Sequence, residues 1–515
     1  MSLAITDANR RWWVLGAMCC ALFMAMLDNT VVNVALPSIQ RDLQTTLSGL
    51  EWTVNAYTLA FAVLLVTAGR LGDLFGRVRM FLVGVVIFAL ASGLIALAQS
   101  DTWLVAWRAV QGIGGAFMMP ATLSIVSHAF PPAERGKAIG TWAGVSALAL
   151  AVGPVVGGFL VEHVSWQSIF LLNLPVAVLA VALTLAAATE SRDETAERIV
   201  DIPGVVLSAI GLGAFVLALV QGNHWGWGSA RILALFAVAV AALVVFVAVE
   251  LRHRAPMVEF AFFRARAFLG ANTAGFLVTF AMFATFFFIT LYMQNVKGYG
   301  PLETGVRFLP STFMVVIMGP LSGRLADRIG ARLPMTAGMV IVAVALLWQS
   351  FLDAQSSYLF LLVPFILMGL GIGLVMAPMT TAAMNAVEHT KAGVASGILS
   401  MNRMIGGTFG VAVLGALITA LGQSRLEELL PQATPAQVDR LAEGLGAGAG
   451  SAGADSGVAA AMQDAFVYAM HGGFRVAAAI ALAGAVVAWL TISARPASAE
   501  VEVEAPAPAG EVGSA

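Results

Sequence analysis

The chain is 515 residues long, 59% hydrophobic and only 11% charged, with a net charge of −2. Soluble domains average about 25% charged residues, so this composition excludes an ordinary water-soluble globule. The near-zero charge and the lack of a basic cluster give no support for nucleic acid as a partner.

Fourteen apolar runs are long enough to cross a bilayer, for which about 20 residues suffice. In chain order they lie near 12–36, 50–69, 80–99, 103–126, 137–161, 167–188, 203–221, 229–249, 269–292, 304–323, 333–352, 357–382, 392–421 and 471–494. The first run is too long for a signal-peptide core and no small-residue cleavage site follows it, so it is read as a retained span. It holds Asp28, in the string LDNTVVNVALP. A carboxylate at membrane depth costs about 2.5 to 3.5 kcal/mol on insertion scales and is tolerated mainly where it lines a cavity and does a job. Asp28 is therefore the first candidate for proton exchange, and the only acid read as lying well inside a span. The competing reading is a structural carboxylate held by Asn29, Asn33 or backbone groups. Cys19 and Cys20 are adjacent in the same run and read as helix packing. They form no disulfide framework and no zinc spacing, and neither a metal nor a cofactor is expected.

The second run ends in GRLGDLFGR, where Gly69, Gly72 and Gly76 permit a tight turn and close helix approach. Asp73 sits at the end of the span, too shallow for a transport site, and the bland reading of the loop is a solvated turn. Arg108 lies inside the fourth run. It either snorkels to the boundary or faces a cavity and biases the proton affinity of a carboxylate, for which Asp28 is the evident deep partner. Late in the fifth run, Pro154 frees a carbonyl and bends the helix, while Gly153, Gly157 and Gly158 admit a neighbouring helix. Asn33, Trp52, Asn55, Tyr57, Met118 and Phe283 are candidates for a soft cavity lining, although any single aromatic or methionine is read more simply as packing or lipid-facing. Arg403, in the thirteenth run, is a second charge within a span and has no evident acid partner; it is also a candidate for the cavity lining, where it either binds an anionic group or is satisfied by carbonyls.

The sequence repeats. GRLGDLFGR at 69–77 returns as GRLADRIGA at 323–331, an offset of 254, and GKAIG at 136–140 resembles GVASG at 393–397, an offset of 257. The plan is an N-terminal six-span bundle (12–188), two inserted spans (203–249) and a C-terminal six-span bundle (269–494). Repeated bundles of this kind place a transport site between the halves, near the bilayer midplane. Residues 422–470 are read as a long external loop in which SRLEELL and AAAMQDAF could form short surface helices. Residues 495–515 are read as a disordered cytoplasmic tail. An even number of spans puts both termini on one side, where 18 Lys and Arg fall against 7 on the other, with Arg108 and Arg403 inside spans. That asymmetry assigns both termini to the cytoplasm.

GRLGDLFGRVR at 69–79 resembles the loop signature of the major facilitator superfamily. LDNTVVNVALP at 27–37, RAVQGIGGA at 108–116, GPVVGG at 153–158, WQSIFLLNLP at 166–175 and NRMIGGTFG at 402–410 resemble its fourteen-span drug:proton antiporters, the QacA/EmrB group, over about residues 12 to 494. The resemblance implies an all-α membrane protein with fourteen transmembrane helices (6 + 2 + 6). It implies a cytoplasmic latch in which Asp73 caps the start of the thirteenth span near Ala392 and Arg77 braces it. In the second copy Asp327 is present but Ala331 stands where the first copy has Arg77. The resemblance also implies that GPVVGG marks exporters. Relatives that expel organic cations often carry Trp-x-x-Asp-x-Tyr in the second span, and this chain has Asn55 there.

Three functions follow. The first is a proton-coupled antiporter that exports hydrophobic or amphiphilic drugs by alternating access. The second is a dedicated exporter of a lipid or self-made secondary metabolite. The third, ranked last, is a non-transporting membrane sensor. No nucleotide-binding loop or nucleophile constellation points to an enzyme. The expected partners are small hydrophobic or amphiphilic substrates, protons and membrane lipids, and the expected setting is a monomer in the cell inner membrane.

Overall fold

The computed structural model describes residue 6 and residues 9–192, 200–254, 256–388, 392–445 and 456–493. The tail assigned to 495–515 lies outside them. Among the described residues the chain is helical and contains no strand.

The N-terminal half comprises α1 (Arg10–Leu43), α2 (Leu47–Phe75), α3 (Arg77–Ile95), α4 (Asp101–Ala129), α5 (Pro132–His163), and the short α6 (Ser168–Leu171) running into α7 (Asn173–Ala187). The inserted pair is α8 (Ile202–Trp225) and α9 (Ala230–Glu250). The C-terminal half comprises α10 (Arg266–Leu291), α11 (Pro301–Ile329), α12 (Arg332–Gln349), α13 (Tyr358–Asn385), α14 (Ala392–Leu429), α15 (Pro435–Glu443) and α16 (Ser456–Thr491). Thirteen of these segments are individually long and apolar enough to cross a membrane, and bent α5 makes fourteen. Their starts carry ordinary helix punctuation. Side chains of Thr46, Ser100, Asp201 and Ser229 accept the free N–H groups that open α2, α4, α8 and α9, and proline opens α5, α11 and α15, where a missing N–H costs nothing.

The repeat read from sequence is a repeat of packing. In the first half α2 and α3 pack on α4, α1 packs on α5 and α7, and α3 packs on α7. In the second half α11 and α12 pack on α13, α10 packs on α14 and α16, and α12 packs on α16. The halves meet along two equivalent seams, α2 with α14 and α5 with α11, and more lightly where α1 meets α10. The inserted hairpin breaks this symmetry, because α8 packs on both α2 and α14 and so covers one seam.

The helices run past the apolar runs. At 1.5 Å per residue, α14 with 38 residues and α16 with 36 are far longer than the ~30 Å of hydrocarbon. Most of the 422–470 segment is helical: SRLEEL continues α14, AAAMQDAF lies within α16, and the separate short helix is α15, with Val438 and Ala442 buried.

Candidate functional site

α1 carries Asp28 into the interior of the N-terminal half, where it is 1% exposed, and α4 brings Arg108 to it at 2% exposure. Arg108 Nη1 donates to Asp28 Oδ2 at 2.6 Å. The other carboxylate oxygen accepts from Gln111 Nε2 at 2.9 Å and from Asn173 Nδ2 at 3.3 Å. Ser92 Oγ accepts from the same two amides. Arg108 donates further to Gln111 Oε1 at 2.6 Å and, through Nε, to the Thr53 carbonyl at 3.0 Å. Its guanidinium lies 4.3 Å from the Tyr57 ring centroid. The network thus ties α1, α2, α3, α4 and α7 together. Gln111 reaches it because it sits one helical turn after Arg108 on the same face. An isolated buried ion is prohibitively costly, whereas a pair with its remaining lone pairs satisfied is tolerable. Both oxygens of Asp28 meet that condition.

The competing structural partners for Asp28 are engaged elsewhere: Asn29 donates to the Ala25 carbonyl and Asn33 to the Asn29 carbonyl. Asp28 is not the only acid inside a span. Glu51, in the second turn of α2, is 2% exposed, because α2 begins three residues before the apolar run and α14 covers that turn.

The proposed cavity residues divide. Tyr57 is buried against Arg108, Phe61 and Phe88. Met118 is fully buried. Trp52 packs with Val216 and Val220 of the inserted helix. Asn55 is buried, and neither atom of its amide has a hydrogen-bond partner. Phe283 lies against Gly407. Arg403 is partly exposed, its Nε is buried without a hydrogen-bond partner, and its side chain runs beside Gly275.

At the GPVVGG segment α5 bends by 41° between residues 150 and 152, one turn ahead of Pro154, where the ring displaces a carbonyl. Gly153 and Gly157 lie against Thr30 and Val31 of α1, while Gly158 meets the Pro301–Leu302 backbone of α11. In the 69–77 loop Arg77 binds Asp73 at 2.9 Å within its own half. Gly69 faces Pro120, and Gly72 faces Arg77. Gly76 has φ +109°, a conformation open to glycine. Glu190 caps α3 by accepting from Val78 N and Arg79 N. The residues just ahead of Ala392, where the latch would end, lie outside those described. Gly330, the repeat mate of Gly76, has φ +83°, but Asp327 is exposed and makes no ion pair among the described residues.

Residues 18–411 match the Major Facilitator Superfamily. The chain belongs to the major facilitator superfamily. It is a multi-pass membrane transporter, not an enzyme. It is 36% identical to the tetracenomycin C resistance and export protein of Streptomyces glaucescens over 98% of this chain and 96% of that one. It is 40% identical to the multidrug resistance protein Stp of Mycobacterium tuberculosis over 81% and 78%. Among solved structures, a bacterial homologue of the human lysosomal transporter Spinster has the same fold, with a TM-score of 0.64 at 19% identity over 97% of this chain and 99% of that one.

Sequence reasoning passed over Gln111, Asn173, Ser92 and Glu190. Gln111 and Asn173 lay inside motifs already singled out, RAVQGIGGA and WQSIFLLNLP, and each is an amide in an otherwise apolar run. Ser92 and Glu190 had no such signal.

Proposed function

We propose that this transporter is a proton-coupled antiporter that exports hydrophobic or amphiphilic drugs by alternating access, with both termini in the cytoplasm. The observation that carries the reading is the buried Asp28–Arg108 pair at 2.6 Å, a deep carboxylate held by a cation that has other partners to fall back on. When a proton neutralises Asp28, Arg108 keeps Gln111, the Thr53 carbonyl and the Tyr57 ring. The protonated state therefore leaves no bare buried cation. Because the Thr53 contact lies on α2, a shift of Arg108 acts on a helix at the seam between halves. The sequence has no Walker-type loop, so an ion gradient is the energy source. One proton entering down a potential of 100 mV supplies about 2.3 kcal/mol. Membrane lipids surround the bundle, and a monomer contains the whole site.

The test is export driven by an imposed pH gradient in reconstituted vesicles. Asp28→Asn should fold, keep passive substrate exchange and lose uphill export, and undiminished uphill export would refute the assignment. A second reading, a dedicated exporter of a self-made secondary metabolite, is supported by the near full-length similarity to the tetracenomycin C exporter. Flux across a compound panel separates the two by breadth of cargo.

A further inference from the structure

The two seams between the halves are not equivalent at one position. The 254-residue offset carries Glu51 of α2 onto Gly305 of α11, and the 257-residue offset carries Gly415 of α14 onto Gly158 of α5. In the α5–α11 seam the two glycines do what glycines do at helix crossings: Gly305 lies against the Pro154 backbone and Gly158 against the Pro301–Leu302 backbone. In the α2–α14 seam one of these places holds a carboxylic acid. Its carboxyl lies so close to Gly415 that a Cβ there would overlap it.

Nothing compensates that carboxyl. Glu51 is 2% exposed, its Oε2 is buried without a hydrogen-bond partner, and no ion pair reaches it among the described residues. Asn55, one turn on, is likewise unpartnered. Thr58, a further turn on the same face, crosses the seam to Thr408 at 2.7 Å. The inserted helix closes the remaining side. Val216 and Val220 of α8 pack with Ala412, flanked by Trp52 and Phe409, and Asn223 donates to the Ala416 carbonyl at 2.6 Å.

The charged groups on the elements around α2 are all engaged or distant. α14 has no ionisable side chain between Arg403 and Arg425. On α8, His224 pairs with Glu443 of α15. On α4, Asp101 accepts from Thr45, and Arg108 is bound to Asp28. On α1, Arg41 bonds the Pro37 carbonyl and Asp42 accepts from Trp166. The charges of α3, Arg77 and Arg79, sit at its far end, Arg77 bound to Asp73 and Arg79 beside Glu190.

We propose that Glu51 is a proton-exchange site on the side opposite the termini, and that α2 and α14 close over it only when it carries its proton. An unpartnered carboxylate is expensive in an enclosed seam, whereas the neutral acid is tolerated. Once the seam parts, water reaches the carboxyl and the proton can leave. Closure and proton binding are then linked, each favouring the other to the same extent. The inserted hairpin gains a role as the cover that keeps the closed seam dry. This proton returns to the side from which it came, so the site gates closure without carrying the driving proton. The proposal rests on the alternating-access reading above but not on Asp28.

The experiment measures the distance between spin labels at Ser48→Cys on α2 and Glu427→Cys beyond the seam on α14. It uses the full chain in lipid nanodiscs, with Cys19 and Cys20 replaced by alanine. One titrating carboxyl can move the open-to-closed ratio by at most about tenfold per pH unit. From about pH 5.5 to about pH 8.5 the long-distance population should therefore grow, by roughly threefold or more. Glu51→Gln should hold the short distance at both pH values, and Glu51→Asp should restore the response. Gly415→Ala, which crowds the carboxyl without removing it, should favour the long distance throughout. Asp28→Asn should keep the pH response. A wild-type distance that ignores pH, or a Glu51→Gln variant that responds as wild type does, overturns the proposal. If the response is lost in Asp28→Asn and kept in Glu51→Gln, the coupling reading stands and this inference fails.

Discussion

Asp28 and Arg108 stand among neutral amides, and those amides decide how the pair behaves. A hydrogen bond to a charged group contributes about 1.5 to 3 kcal/mol, so Gln111 and Asn173 together rival the direct ion pair in holding Asp28. Gln111 is the more consequential, because it donates to Asp28 and Ser92 while accepting from Arg108. Gln111→Leu keeps the side-chain bulk and removes all three bonds. The expected result is a fold close to wild type and gradient-driven export reduced about tenfold or more, the equivalent of about 1.4 kcal/mol at a transition state. Substrate binding should change little. Vesicle flux beside equilibrium binding of the same compound makes the comparison, and equal losses in both would place Gln111 in the cargo site instead.

At the scale of elements, function depends on where helices are allowed to touch and where they are forced to turn. Gly76 ends α2 at φ +109°, and a Cβ there would sit 2.6 Å from the Glu190 carboxyl carbon. Gly76→Ala therefore meets a backbone cost of about 1 to 2 kcal/mol and displaces the acid that caps α3. Gly140, exposed in α5 with nothing near its missing Cβ, is the control, since alanine there gains up to about 1 kcal/mol of helix propensity. Thermal unfolding in detergent should show Gly76→Ala lowered and Gly140→Ala unchanged or raised. The glycine turn was legible in sequence because its motif recurs 254 residues later. So were the span count and the depth of the Asp28 charge, since a charge in an apolar run stands out. Arg108 was named as a partner for Asp28, but its amide partners Gln111 and Asn173 were not legible, because they come from two other helices and neutral amides resemble any other small polar residue in a span. The burial of Glu51 was not legible for a related reason. The apolar run begins at about residue 50, but the Thr46 cap starts α2 at Leu47, and burial of that turn is contributed by α14 and α8, hundreds of residues away or in a segment with no repeat partner.

For the molecule as a whole, the charge inventory between the halves sets what can pass. Asp28 is cancelled by Arg108, Asn55 is neutral where cation exporters often have an acid, and Arg403 adds a positive charge whose Nε has no partner among the described residues. Glu51 is a further buried acid, at the seam between the halves, and in this conformation it is sealed against Gly415. A cargo with one positive charge can be balanced by a single carboxylate freed during the cycle. A second positive charge would be desolvated with no partner, at a cost of several kcal/mol. Neutral, zwitterionic, anionic and singly charged amphiphiles are therefore the expected cargo. Matched mono- and dicationic dyes test this, with the monocation exported at least about tenfold faster, the ratio that about 1.4 kcal/mol produces. Glu51→Gln should leave that ratio unchanged if the acid only gates the seam. A dication exported as well as its partner, and lost selectively in Glu51→Gln, would move Glu51 from the gate into the cargo site.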